Sequence, residues 1–252
     1  MGTQRRFIHL KKYRFKKGDA LHHRNFGTAN IATLPTDLLF LSAVLDQGQL
    51  PACTAYAATA VRDSMKNKLY DPQIQWDEEL QFMGNPNADG ANDTRVPMAV
   101  GVEIGFVPLG SPLPTDKASA WYAVTQNNGF DLFDSIRMAM FQTQNPLVLG
   151  LTWMNEWTAA LGGMIQDNGQ IVDGGHCVKI AGWKFLNGNP YLVIQNSWGT
   201  DAGDNGLFYF PREVVNACFG GFGIFYFSDT DNPTIKTLGM IQALLLNLWE
   251  ML

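Results

Sequence analysis

The sequence predicts an α+β protein of two lobes. Three observations carry that prediction: a Gly- and Pro-free, Ala-rich stretch from Cys53, a change of pattern near residue 145, and short apolar runs divided by Gly and Asn turns after it. Residues 1–33 read as a basic arm and a loop. Leu34-Pro35-Thr36-Asp37-Leu38 reads as an extended lead-in, and Gly48 and Pro51 make 47–51 a loop. From Cys53, the run Cys-Thr-Ala-Tyr-Ala-Ala-Thr-Ala-Val-Arg-Asp-Ser-Met-Lys reads as a helix with the cysteine in its first turn. Asn, Asp, Gly and Pro crowd 85–93, which is a surface loop. Helices are expected over 96–104, ending near Gly105, and over 132–142.

Past residue 145, Leu147-Val148-Leu149-Gly150-Leu151-Thr152-Trp153 is a continuous apolar run and reads as a buried strand. Further strands are expected over 177–183, 191–195 and 207–210, with Asn187-Gly188 as a hairpin turn. The domain division is therefore 1–33 for the arm and 34–228 for the main body. Within the body, 53–144 is expected to be helical, and 145–228 plus the lead-in β-rich. Residues 229–252 form a tail. In that tail, Ile241, Leu244, Leu245, Leu248, Trp249 and Leu252 surround a narrow polar stripe of Lys236, Gly239, Gln242, Ala243, Asn247 and Glu250. Such a helix docks on its own domain or serves as a partner helix or interfacial anchor. A membrane span is not expected, since Lys236 and Glu250 sit at the ends of a segment shorter than a bilayer needs.

Composition narrows the class further. The chain has 252 residues, 46 % hydrophobic and 16 % charged, as in a protein with a substantial core. The net charge is −5, yet Arg5, Arg6, Lys11, Lys12, Arg14, Lys16 and Lys17 precede every one of the 23 acidic residues. The arm can bind another subunit, lie on the acidic body or remain solvated; nucleic acid is not an expected partner. Cys53, Cys177 and Cys218 are too few for a disulfide framework and lack metal-ligand spacing, so no metal is expected. No signal peptide is visible, and Arg6 stands where a myristoylation signal wants Ser or Thr.

Three segments carry chemistry: Asp46-Gln47-Gly48-Gln49-Leu50-Pro51-Ala52-Cys53-Thr54, Gly175-His176-Cys177 and Gln195-Asn196-Ser197-Trp198-Gly199. A thiol at a helix N-terminus is placed where unsatisfied N–H groups and the macrodipole favour an anion. A distant His supplies a base. These segments resemble those of papain-like cysteine peptidases, in particular prokaryotic and viral members without a long prosegment, from about Leu34 to Phe227. The resemblance implies a helical lobe and a β-barrel-like lobe with the active site in the cleft between them. It also implies Cys53 as nucleophile, His176 as base, Asn196 as the amide that orients His176, and Gln47, six residues before Cys53, as oxyanion donor. Trp198 would shield the His–Asn hydrogen bond. Gly90 would pair with substrate backbone, while Gly150, Gly174 and Cys177 would leave room for a bulky apolar side chain.

The chain departs from the family in places. Leu50 stands where secreted members carry a disulfide cysteine, which argues for the cytoplasm or another reducing compartment, possibly within a larger assembly. Thr54 replaces an aromatic residue, Pro51-Ala52 a smaller pair, and Ala202 a second tryptophan. The expected activity is cofactor-free endopeptidase action on peptide or protein substrates, through a thioester acyl-enzyme. Exopeptidase or acyl-transferase chemistry, and an assembly subunit that kept the fold, are the alternatives. The arm and the tail are candidate contacts for a protein partner.

Overall fold

The computed structural model describes residues 31–111, 116–126, 129–167 and 169–229, together with Lys12. The expectations for the basic arm and the apolar tail lie outside the described residues.

After a 3-10 turn at Ile31–Thr33 and a two-residue strand β1 (Leu38–Leu39), helix α1 runs from Cys53 to Lys66. Its Ala-rich sequence favours the helix, and Asn67 ends it in the left-handed conformation with its N–H on Asp63 O. No side chain caps its start at Ala52, so the first N–H groups remain available to another acceptor. Helix α2 (Pro72–Phe82) had no counterpart in the sequence reading. Asp71 caps it by accepting from Gln73 N and Ile74 N, with proline in the first turn. Helix α3 (Arg95–Glu103) completes the helical group, close to its expected bounds.

Strands β2 (Ala120–Ala123), β3 (Leu147–Met154), β4 (Val172–Leu186), β5 (Asn189–Gln195), β6 (Leu207–Pro211) and β7 (Ile224–Ser228) form one antiparallel sheet. Its order is β2-β7-β3-β4-β5-β6, with β1 joining β4. The Asn187-Gly188 turn joins β4 to β5, both residues at positive φ as a tight hairpin requires. Helix α4 (Leu132–Thr143), the short α5 (Asn155–Thr158) and α6 (Arg212–Cys218) accompany the sheet. One expected boundary moves. Residues 120–144 were assigned to the helical lobe, but β2 pairs with β7, and α4 buries Phe133, Ile136 and Met140 in the aromatic core of the sheet.

Both faces of the sheet are covered, which explains why β3 reads as an unbroken apolar run. Leu147, Leu149, Leu151 and Trp153 enter a core with Trp157, Trp183, Phe208 and Phe210. Val148 faces the other way, into a cluster with Cys53, Ala57 and Val61 of α1, Met98 of α3, Cys177 of β4 and Phe225 and Phe227 of β7. Alternation along β4 follows the same rule: His176, Val178 and Ile180 alternate with Cys177 and Lys179. Gly182, at φ 148°, lets the β1 backbone approach so closely that a Cβ there would stand 1.9 Å from Leu38 O.

Two buried cations fasten α1. Lys179 donates to Ser42 Oγ at 3.0 Å and Gln195 Oε1 at 2.7 Å, and also to Ser64 Oγ. Burial pushes its ammonium down to about 7, opposed by the charge of Asp63. Arg62 pairs with Asp116 and with Asp229, the last described residue, at 2.6 Å from the latter.

Candidate active site

Cys53 is the first residue of α1 and has no exposed surface. The backbone N–H groups of Cys177, of Thr54 and of its own residue all favour its thiolate. The uncapped helix start and the β4 strand therefore meet at this thiol. Burial nevertheless dominates: it pushes the thiol up to about 12, and the charge of Glu79 adds to the rise. A thiol of lowered pKa was expected from the helix N-terminus. The N–H groups do pull the value down, but desolvation of a completely buried sulfur exceeds them.

His176 lies inside β4, opposite Leu151 of β3, whereas the strand was expected to begin after it, at 177. Its Nε2 is 2.8 Å from Asn196 Oδ1. The same oxygen accepts from Ser197 N at 2.8 Å; a backbone N–H can only donate, so this atom is the amide oxygen. Nε2 must then carry its hydrogen, which leaves Nδ1 as the nitrogen that gains or loses a proton. Two indoles hold the ring in place. Trp198 stacks on it at 4.6 Å with an 18° interplanar angle, and Trp153 meets it edge-on at 5.5 Å. Trp153 also touches Trp198, Trp157 and Phe208. The sequence reading missed Trp153; its period-2 position in β3, opposite Gly174, carried the signal.

Gln47 is buried and tied to the turn that holds Asn196. Its backbone N–H donates to Ser197 O at 2.9 Å, and Gly199 N donates to Leu45 O at 3.0 Å. Asp46 and Trp198 form an antiparallel bridge. Ser197 Oγ donates to Gln47 Oε1 at 2.6 Å, and Gln47 Nε2 donates to Leu50 O at 2.8 Å. With its oxygen occupied by Ser197, the amide has one fixed orientation, and Nε2 has a second hydrogen besides the one given to Leu50.

The expected substrate-binding glycines fare differently. Gly90 is buried at positive φ in the 85–93 loop. Gly174 lies in β4 and is half-buried. The room expected beside Gly150 is taken: a Cβ there would meet Thr94 Cγ2 at 2.4 Å and Phe222 Cβ at 2.9 Å. Thr94 Oγ1 also bonds to Phe222 O. Cys177 packs into the core with no exposed surface and so lines no open pocket. Thr94 and Phe222 come from other segments, so nothing near Gly150 in the chain announced them. An open recess of about 460 Å³ lies instead beside the loop leading to Cys53, lined by Gln49, Leu50, Pro51, Trp76, Ala88 and Asp89.

A thiol at a helix start in one lobe, with an amide-oriented imidazole on the sheet of the other, is the arrangement of a papain-like fold. Comparison with known proteins agrees. Residues 116–221 match the family model described as papain family cysteine protease, a span that includes His176 and Asn196 but not Cys53 or Gln47. Viral cathepsin of Heliothis zea nuclear polyhedrosis virus is 29 % identical over 195 residues, covering 71 % of this chain and 51 % of that protein. Cathepsin B-like cysteine proteinase 6 of Caenorhabditis elegans is 36 % identical over 72 residues, or 29 % of this chain and 19 % of that one. The chain thus spans about half or less of the length of these relatives. Xylellain, a cysteine protease from Xylella fastidiosa, superposes with a TM-score of 0.72 at 19 % identity, covering 91 % of this chain and 99 % of that structure. By fold over most of its length, and by sequence over residues 116–221, the chain resembles the papain-like cysteine peptidases.

Proposed function

We propose that this chain hydrolyses peptide bonds as a cysteine endopeptidase. The observation that supports this best is the His176–Asn196 pair, stacked under Trp198, on a strand whose next residue, Cys177, packs with Cys53. In this reading Cys53 passes its proton to His176 Nδ1 and attacks the scissile carbonyl carbon. The carbonyl oxygen becomes an oxyanion, held by the Cys53 backbone N–H and the second Nε2 hydrogen of Gln47. Collapse of the tetrahedral intermediate breaks the C–N bond, and His176 returns the proton to the leaving amine. Water, deprotonated by His176, then attacks the thioester and regenerates the thiol. Asn196 keeps the imidazole in the tautomer that both steps need. In this reading the imidazolium that forms offsets the desolvation that holds the resting thiol neutral.

Labelling with an epoxide directed at active-site thiols, followed by peptide mapping, tests this. Modification of Cys53 alone, with loss of hydrolysis of a denatured protein substrate, is expected. Faster modification of Cys177 or Cys218 overturns the assignment. The complete burial of Cys53 and its raised pKa favour a second reading, an assembly subunit that kept the fold; in that case Cys53 stays unlabelled and no peptide bond is cut.

A further inference from the structure

None of the steps above uses the Thr54–Glu79 pair beneath Cys53. Glu79, on α2, has no exposed surface and accepts from Thr54 Oγ1 at 2.7 Å. Thr54 is the residue after Cys53, and its N–H is among the groups that favour the Cys53 thiolate. One hydroxyl and one peptide unit therefore connect the carboxyl to the donors around the thiol. The other carboxyl oxygen of Glu79 is buried without a hydrogen-bond partner, and so are both amide atoms of Gln75, one helical turn earlier on the same face.

Among the described residues no cation pairs with Glu79. On α1 the titratable and charged residues are Cys53, Tyr56, Arg62, Asp63 and Lys66. Arg62 is engaged by Asp116 and Asp229, and Lys66 by Asp229. α2 itself adds Asp77 and Glu78. α3 adds Arg95, which pairs with Asp93, and Glu103. β4 adds Asp173, His176, Cys177, Lys179 and Lys184. Burial does most to raise the thiols of Cys53 and Cys177, and the charge of Glu79 adds to the rise in both.

We propose that Glu79 is a positioning residue for the nucleophile: uncharged, it holds Thr54 and the first turn of α1 around the Cys53 thiolate, and on ionising it suppresses that thiolate and sets the alkaline limit of hydrolysis. The inference rests on the peptidase reading above. Burial pushes the Glu79 carboxyl up to about 8, with the Thr54 hydroxyl pulling it partly back, so the uncharged form is the majority at neutral pH. Two negative charges this close in a site of low dielectric oppose each other. As pH rises through about 8, the Glu79 charge appears and the thiolate–imidazolium pair becomes harder to form. Activity falls on the alkaline side.

The test is kcat/KM for hydrolysis of labelled casein by the full chain between pH 5 and 10, a quantity that reports ionisations of the free enzyme. Glu79→Gln keeps the shape and the acceptor for Thr54 but cannot ionise. Its alkaline limb should move up, so that the ratio of activity at pH 9 to that at pH 7 exceeds the parent ratio by up to about tenfold, the effect of one pH unit beyond a titrating group. Thr54→Ser should keep the parent profile. Thr54→Val, which removes the hydrogen bond to the carboxylate, should shift the limb upward as Glu79→Gln does, and this pair carries the test if Glu79→Gln does not fold. Profiles of Glu79→Gln and Thr54→Val that superimpose on the parent overturn the inference. Cys53→Ala separates the two readings. If it retains hydrolysis, the peptidase assignment falls; if it is inactive while the profiles superimpose, only the role of Glu79 falls.

Discussion

On the sheet side of the cleft, His176 lies against two indoles and takes its orientation from one amide oxygen that also holds a backbone N–H. On the helix side, Cys53 sits over a buried carboxyl, and Glu79 Oε1 and both amide atoms of Gln75 lie buried without partners. One half is kept in place by aromatic packing and one shared amide oxygen, although Asn196 Nδ2 is itself buried without a hydrogen-bond partner. The other is balanced by charge, where the state of one proton changes the free energy of the sulfur. Geometry therefore belongs to the sheet and acidity to the helices, and substitutions in the two halves should fail in different ways.

The largest effect tests the shared centre. Cys53→Ala should reduce kcat by about 10⁴-fold or more, as removal of a nucleophile does in other hydrolases, with an unchanged circular dichroism spectrum; residual turnover within tenfold of the parent would contradict the mechanism. Trp153→Ala attacks the packed half. Emptying a buried indole that touches His176, Trp157, Trp198 and Phe208 should cost about 3–5 kcal/mol in urea unfolding, and a cost below about 1 kcal/mol would mean that the aromatic group is not cooperative. Gln47→Ala should lower kcat by about 10²–10³, corresponding to roughly 2.7–4 kcal/mol of oxyanion stabilisation, with little change in substrate affinity. Unchanged single-turnover acylation would remove Gln47 from the chemistry.

The smallest effect sharpens the contrast through stability alone. Glu79 has a folded value near 8 against an ordinary 4.5, so the folded state holds a proton that the unfolded chain releases earlier. Its contribution to stability is fully present below about pH 4.5 and is lost as pH rises through about 8. Glu79→Gln should accordingly raise Tm relative to the parent at pH 9 by several degrees more than at pH 5, on the scale of about 2–4 °C per kcal/mol for a chain of this size. A gap between the two Tm curves that does not change with pH would show that Glu79 is charged throughout.

Local signals made part of this legible. The α1 start, the β3 run and the Asn187-Gly188 turn all depend on a residue type beside its chain neighbours, whereas the His176–Asn196 pairing, 20 residues apart, came from the family resemblance. α2 was equally announced, by Asp71-Pro72 ahead of a Pro-free run, and was overlooked. β7 carries Ile-Phe-Tyr-Phe after Gly223 and could have been read as a strand. Other features have no local signature. The acidity of Cys53 is decided by how many segments close over it, and the space beside Gly150 by Thr94 and Phe222 from distant loops. The membership of 120–144 in the sheet lobe follows from a strand partner about a hundred residues away.

The contacts between 45–47 and 197–199 have a mechanical consequence. Two backbone hydrogen bonds, which together make the Asp46–Trp198 bridge, and the Ser197–Gln47 side-chain bond join these loops into one body. Gln47 and Asn196 must therefore travel together, while Cys53 travels with α1. Any separation of α1 from these loops varies the sulfur–imidazole distance and also parts the Cys53 N–H from the Gln47 amide. Slow amide hydrogen exchange at Gln47 and Gly199, together with faster exchange at the start of α1, is the signature of such a hinge. Heat that parts α1 from these loops would therefore take away the nucleophile and half of the oxyanion site together.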